Sequence, residues 1–555
     1  MKSKLLFCIV LLIGSIGCIG AQTSCYPTKG HVVNDAIPGD NVLRFYRMAI
    51  PVTHTAFEES FEQDYEKVIL FWREVETYMN QIYVPIGFCF EVIEDRFLVM
   101  GERNPIDENV YNAPGFGTDL LNEIISSSTY DIGMWVTYRD EFEENSGLSI
   151  LNGAYMHSTK ANGYAKTDKW VVAHEVGHLL GANHTPGGEG SLMDNEGHFL
   201  SYPSIKKIRS ACTQMNAAYY SDKERTRLVG QNNGGNYVYG IKVSNSTPQF
   251  IAEKMNEIYK IPQGALLTID IQAIDPENDK MEYMAIGCNS LNVDDVSEGN
   301  DIPHFASKAP QYSNIIEYKP EYSADIYYDD YFYPTFGTDI QNMEPGEYSI
   351  SLLVRDIPAQ SDWSSEAMMR SPFYSNYSIW EATVHIVAGE VFDVSLFPNK
   401  QEYKAGEEIN IKWSANNSAF SPESKIRLTL SDDYGKSFKY TLGEDIPIQN
   451  GAAVVKLPNA NIGNVEVDFT TAKRHMRGGI IRIEEIDGTA FTMTTLSPEN
   501  GGGFTISGAT ETSITSVSSV PGICPAYDLL GRRIKNHDLL QPGLYISNNK
   551  IVIVK

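Results

Sequence analysis

Residues 174–184 read His174-Glu175-Val176-Gly177-His178-Leu179-Leu180-Gly181-Ala182-Asn183-His184, and this run constrains the fold more than any other. On a helix, residues four apart share a face, so the imidazoles of His174 and His178 reach toward one point. Gly181 permits the open or left-handed backbone that ends such a helix and turns the chain back, letting His184 deliver a third nitrogen. A catalytic zinc typically takes three protein ligands and keeps its fourth position for water. Glu175 sits beside that position, where a carboxylate can take a proton from the water. Trp170-Val171-Val172-Ala173 before the motif and Leu179-Leu180 within it give the helix a face to bury. The expectation is one Zn2+ held by His174, His178 and His184, with Glu175 as general base.

These residues resemble the extended zinc motif of the metzincin metallopeptidases, and the first part of the chain is similar to their reprolysin-like bacterial branch. Ser191-Leu192-Met193-Asp194 follows soon after and resembles the Met-turn of that clan, which implies that Met193 forms an apolar floor under the zinc site. The stretch Asn152-Gly153-Ala154-Tyr155 is placed like the metzincin edge strand, so the resemblance implies that Gly153 and Ala154 pair with an extended substrate through backbone hydrogen bonds. It further implies a zinc-dependent endopeptidase that hydrolyses protein or peptide substrates with a zinc-bound water activated by Glu175. Two positions depart from the pattern: Thr185 stands where the venom and ADAM-type enzymes usually have Asp, and Asn195 stands two residues after Met193 where a Tyr would be. His198 is read as a surface or supporting histidine, because three imidazoles already complete the protein half of the site. The rival reading is a surface adhesin with an accessory or degenerate zinc domain. An intact Glu175 favours the enzyme, since a dead scaffold has no need of the base.

The chain carries a formal charge of -27, which argues against a nucleic-acid partner, because phosphate binding relies on clustered Lys and Arg. Met1-Lys2-Ser3-Lys4, an apolar run over 5–19 and Gly20-Ala21 have the form of a secretory signal cleaved after Ala21. Ser15 is a poor start for a lipoprotein signal, so cleavage is expected over lipidation at Cys18. No later stretch approaches the ~20 apolar residues needed to span a bilayer. Five cysteines then remain, Cys25, Cys89, Cys212, Cys288 and Cys524, too few for a disulfide framework. A single Cys89–Cys212 bridge would suit an oxidising exterior. Cys25, in the short tail after the signal, is a candidate for latency, because a thiolate there can occupy the open zinc position.

The expected organisation is a signal peptide at 1–21, a tail at 22–40, an α/β metallopeptidase domain at 41–220 and a linker at 221–248. All-β immunoglobulin- or cadherin-like sandwich modules follow at 249–388 and 389–507, then a Ser/Thr-rich linker at 508–520 and a terminal β-unit at 521–555. In the first domain the periodicity predicts a strand over 43–52, one long amphipathic helix over 57–82, strands over 87–93 and 130–138, a helix over 118–127 and a short strand over 151–156. Beyond 220, short β-rich runs bounded by Gly, Pro, Asn and Asp take over. Asp275-Pro276-Glu277-Asn278-Asp279 resembles the acidic turn of cadherin-like modules; Ca2+ could bind such oxygens, though a solvated hairpin turn is favoured. The aromatic run 327–333 could contact a partner or simply pack. The last residues, with Tyr527-Asp528-Leu529-Leu530-Gly531, Pro542-Gly543 and the alternating 550–555, look like a type IX secretion sorting signal of the Bacteroidota. Together with the signal peptide this implies a secreted or cell-surface, outer-membrane-associated protein.

Overall fold

Strand β2 (Val42–Ala49) organises the N-terminal part of the chain in the computed structural model. The structure describes residues 34–36, 39–108, 113–138, 146–185, 191–194, 197–215, 226–229, 237–286, 308–319, 340–357, 362–415, 417–469, 472–494, 503–510, 526–527, 543–547 and 550–554. Seven of the eight residues of β2 are buried, the pattern of a strand covered on both faces. It pairs in parallel with β3 (Phe88–Val92) and β4 (Ile132–Gly133), and antiparallel with β9 (Tyr237–Lys242), which in turn pairs with β8 (Thr226–Val229). A second, smaller sheet joins β5 (Trp135–Thr137), β7 (Gly163–Lys166) and β6 (Gly147–Ser149) in that order, with β6 antiparallel at the rim.

The helix expected over 57–82 is two helices, α1 (His54–Glu59) and α2 (Tyr65–Tyr83). Glu62 and Gln63 both take left-handed φ values, 53° and 60°, which no continuous helix tolerates. Asp64 then caps α2 by accepting the N–H of Glu66, and Phe61, carried by the break, is buried. One face of α2 buries Val68, Trp72, Val75 and Met79, spaced at three and four residues as an amphipathic helix requires. Past a single helical turn at Pro105–Glu108, helix α3 (Ala113–Ile124) precedes β4, and α4 (Lys169–Leu179) carries the first two histidines. Helix α5 (Tyr202–Met215) follows, ahead of β8 and β9.

The expected boundary at 220 cuts through a sheet, because β8 and β9 come from the segment read as linker. The expected separation from the β-rich remainder is also not observed. Met284, Ile286, Leu353, Tyr377 and Ile379 belong to the same buried core as Trp72, Met79 and Val176. Met368 is buried among Leu43, Phe45, Val84 and Cys89. Polar groups close the seam: Asn80 Nδ2 donates to the Trp363 carbonyl at 2.9 Å, the Ser365 N–H donates to Glu76 at 3.0 Å, and the buried Arg209 donates to the Ser375 carbonyl at 2.8 Å with its guanidinium 4.6 Å from the Tyr374 ring. Cys89 and Cys212 are both buried free thiols. The bridge expected between them is therefore not made; Cys89 packs beside Met368, while Cys212 sits in the main core.

The remainder is β-rich, and its two expected modules share structure. Leu266–Asp270 pairs with Ala490–Met493 through Leu266↔Phe491 and Leu267↔Ala490, so one six-stranded sheet crosses the expected 388/389 boundary. One continuous core underlies it, including Ile269, Tyr318, Ile350, Trp413, Leu428 and Ile481. Strand β1 (Asn34–Ala36) pairs antiparallel with Tyr377–Val387, so part of the N-terminal tail is tied to the first β-region. Near the C-terminus, Gly543–Ser547 and Lys550–Val554 form an antiparallel hairpin. The acidic turn is held by its own carboxylate: Asp275 Oδ1 accepts the N–H groups of Glu277 at 2.9 Å and Asp279 at 2.8 Å. Residues 1–21, Cys25, Cys288, Cys524 and the aromatic run 327–333 lie outside the described residues. Among those described, no helix is long and apolar enough to cross a membrane.

Asp356 sits at the seam between the two regions, fully buried, with Asn245 donating to one carboxylate oxygen and the Asn376 N–H donating to the other at 2.6 Å. Burial pushes its carboxyl up to about 7 against the pull of those hydrogen bonds, and the nearby Asp275 adds to the rise. A folded-state value above the unfolded one means that the native state holds the proton more tightly, so stability is fully present at low pH and is lost as pH rises through about 7. The melting temperature of the whole chain is expected to fall between pH 5 and pH 8 more steeply than that of Asp356→Asn. Identical slopes for the two proteins would refute this.

Candidate metal and catalytic site

Helix α4 begins where Asp168 accepts the N–H of Trp170 and ends at Leu180, whose N–H reaches back to the carbonyls of Val176 and His178. Gly181 follows with φ 106°, the left-handed turn its sequence position predicts. A Cβ at Gly181 would lie 2.4 Å from Asn152 Oδ1, so the turn is closed as well as bent. His174, His178 and His184 come together at the end of this helix, and each offers a ligand atom within 4.8 Å of the others. The Nε2 atoms of His178 and His184 are 3.1 Å apart, as are those of His184 and His174.

The second nitrogen of two of these rings is already committed. His174 Nδ1 donates to the Leu192 carbonyl and His178 Nδ1 to the Ala182 carbonyl, each at 2.7 Å. Those hydrogen bonds set the tautomer, leaving the Nε2 lone pairs of both rings facing the common centre. Burial holds His174 below the usual imidazole value and, with the neighbouring His174, pushes His178 down to about 3. Neutral rings with converging lone pairs repel one another unless a cation lies between them, and three imidazole nitrogens suit zinc. The residues present therefore fit a zinc ion.

Glu175 is 5% exposed, and its carboxylate lies against β6. The Ser149 hydroxyl stands 2.8 Å from Glu175 Oε2 and 2.8 Å from the Glu175 carbonyl oxygen. Burial pushes the carboxyl up to about 7, with the Ser149 hydrogen bond pulling the other way. Met193 is fully buried beneath the helix, and its sulfur would be 2.5 Å from a Cβ placed on Gly177, so any larger residue at that helical position would make the methionine side chain move. Thr185 ties the triad to this turn: its N–H donates to the Met193 carbonyl at 3.1 Å and its hydroxyl lies 3.0 Å from that of Ser191. The departure at Thr185 thus has a structural role, while Asn195 lies outside the described residues. Tyr83, on α2, donates to the Ala173 carbonyl at 2.7 Å and braces the helix from behind. His198 stands off the triad, with Nδ1 2.9 Å from the Tyr78 hydroxyl.

One predicted feature is displaced. Gly153 and Ala154 are buried in a 3-10 turn, Gly153–Tyr155, and are not in a strand. A Cβ at Gly153 would meet Ile150 and Leu179 at 2.5 and 2.7 Å, which places this glycine in the core. The rim strand is β6, a few residues earlier, and Gly147 and Ser149 are the residues that sequence reasoning missed. The Asn152-Gly153 pair is a turn signal that could have placed the strand before it. Among the described residues, the histidine triad forms the single cluster of three ligating side chains within reach of one ion, so no second such group is found at the acidic turn of 275–279.

Three histidines converging from a helix and the turn behind it, with Glu175 following the first of them on the same helix, form a group that could hold one metal ion, as a catalytic zinc is held by three protein ligands. Residues 77–185 match the model of the metallopeptidase family M12B, reprolysin-like. The match ends one residue past His184 and covers the triad and Glu175, but it leaves the larger β-rich part outside. No curated protein matches the chain. Among solved structures, the four N-terminal Ig domains of Dscam1 isoform 4.4 match at 9% identity and a TM-score of 0.12, covering 48% of this chain and 47% of that one. The fibronectin(III)-like modules of Clostridium thermocellum CbhA match at 13% identity and a TM-score of 0.13, covering 44% of this chain and 92% of that one. The chain thus spans about half the length of the first of these, and likenesses this slight carry no argument about fold or function.

Proposed function

We propose that this protein is a secreted zinc-dependent endopeptidase, with His174, His178 and His184 as ligands and Glu175 as the general base. The observation that carries the reading is the convergence of three imidazoles, two of them with Nδ1 tied to backbone carbonyls, beside a buried carboxylate. When bound, zinc supplies Lewis acidity that polarises a carbonyl and makes water nucleophilic near neutral pH. Glu175 takes the proton of the attacking water and passes it to the leaving amine. An extended peptide lies along β6, whose outer edge has no strand partner among the described residues, and pairs with the backbone of Gly147–Ser149. Met193 and Tyr83 hold the helix in place from below and behind.

The signal-like 1–21 segment supports secretion, and the terminal hairpin, resembling a type IX sorting unit, supports attachment at the cell surface. The substrates are proteins or peptides. Incubating the protein from Gln22 onward with a diverse peptide library should yield internal cuts that chelator abolishes and added zinc restores. Cuts that persist in chelator, or none from folded, zinc-loaded protein, would overturn the proposal, and the second outcome would favour the adhesin reading. His178→Ala should lower zinc content far below one ion per chain by metal analysis, because it removes one of three ligands. Stoichiometric zinc in that variant would remove His178 from the ligand set.

A further inference from the structure

We infer that Ser149 is a positioning residue for Glu175, fastening the general base to the strand on which substrate is aligned. The inference rests on the proposed peptidase reading and adds to it how the base is held. Successive residues of a strand point to opposite faces, so Gly147 and Ser149 share one face of β6 while Leu148 takes the other and is 41% exposed. The shared face meets Glu175 at two points. At the first, Gly147 has no side chain, and a Cβ there would stand 2.6 Å from Glu175 Oε1 and 2.7 Å from its Cγ, so the carboxylate is pressed against the strand backbone itself. At the second, the Ser149 hydroxyl reaches Glu175 Oε2 at 2.8 Å.

A glutamate has three rotatable bonds, and burial alone excludes water without choosing among the rotamers that remain. Contact with Gly147 and the hydrogen bond from Ser149 together choose one. Ser149 is itself fixed, because β6 pairs with β7 through Ser149↔Gly163, where a Cβ on Gly163 would stand 2.7 Å from the Ser149 Cβ. The same three residues therefore offer backbone groups to a peptide along the outer edge and hold the base from one face. Aligning the scissile bond along β6 aligns it with the carboxylate, and the register between substrate and base becomes a property of one strand. Displacement of a reacting group by about 1 Å can cost up to about 10²-fold in rate, which sets the upper bound for losing this tether.

The test uses the full-length protein carrying zinc, with kcat and KM measured on a peptide it cleaves. Ser149→Ala should lower kcat about tenfold or more while KM stays within about twofold, with zinc content and melting temperature unchanged, because the carboxylate is loosened and the strand is not. Ser149→Thr, which keeps the hydroxyl, should restore most of kcat. Ser149→Cys, with a weaker donor in the same space, should fall between serine and alanine and serves if the threonine methyl disturbs folding. An unchanged kcat in Ser149→Ala, a change confined to KM, or a cysteine variant no better than alanine would overturn the inference. Failure of the underlying reading looks different. In that case Glu175→Ala remains active, whereas a dead Glu175→Ala beside a fully active Ser149→Ala removes only the positioning role.

Discussion

Glu175→Ala should abolish hydrolysis while leaving zinc content at one ion per chain, with a fall in kcat/KM of about 10² to 10⁴ from loss of the general base. The side chain is separate from the ligand set: its carboxylate faces Ser149 and Gly147, whereas the convergent nitrogens belong to His174, His178 and His184. The helix should survive the change, because Asp168 still caps its start, Tyr83 still holds the Ala173 carbonyl and Met193 still packs under Gly177. Alanine is also a better helix former than glutamate. Full activity in a zinc-loaded Glu175→Ala protein would assign the base elsewhere; an inactive protein that has also lost its zinc would point to a role in metal binding. Metal analysis beside the kinetics separates these outcomes.

A fragment restricted to 41–220 should fail to fold, although every residue assigned to chemistry lies within it. The cut removes β9, which pairs with Val42, Leu43, Arg44 and Phe45 of the central strand. It also strips Met368 from Leu43, Phe45, Val84 and Cys89, and Met284, Ile286, Leu353, Tyr377 and Ile379 from the main core. The fragment's own apolar residues that these side chains cover are laid bare; each large one so uncovered costs on the order of 1.5–3 kcal/mol of burial, so a handful of them is comparable with the whole stability of an ordinary domain, about 5–15 kcal/mol. Arg209 would lose its acceptor on Ser375 and its stacking on Tyr374. Expressed alone, the fragment should be insoluble or should bind a hydrophobic dye without a cooperative melt, whereas a chain extending through residue 510 should melt cooperatively. A soluble, zinc-loaded and active 41–220 fragment would show that the seam contributes nothing to the domain.

The reading from sequence of Cys89 and Cys212 shows why spacing is a poor guide to pairing. Both lie in the same part of the chain, yet Cys89 sits on β3 under Met368 and Cys212 on α5 in the main core. Likewise 57–82 carries apolar residues at helical spacing throughout, and the break at Glu62 and Gln63 left no proline or glycine to announce it. What stops the helix is the burial of Phe61 and the cap at Asp64, and burial depends on what packs there.

The segment His174 to His184 determined its own local geometry, because a four-residue spacing on a helix and a glycine able to adopt φ 106° settle the convergence of three rings with little help from elsewhere. The turn at Met193 was legible for the same reason, lying a fixed short distance along the chain. Contacts between distant segments were not legible. Which strand forms the rim beside Glu175 was decided by the pairing of Gly147–Ser149 with Gly163–Lys166 and by Gly147 being small enough to lie against a carboxylate 28 residues on. Where the N-terminal α/β region ends was decided by β9 pairing with β2 and by apolar residues from beyond 280 filling its core. Local conformation follows from the preferences of a few neighbouring residues, whereas domain limits follow from which apolar faces find each other, and a hydrophobic pattern states that a face must be buried without naming its partner.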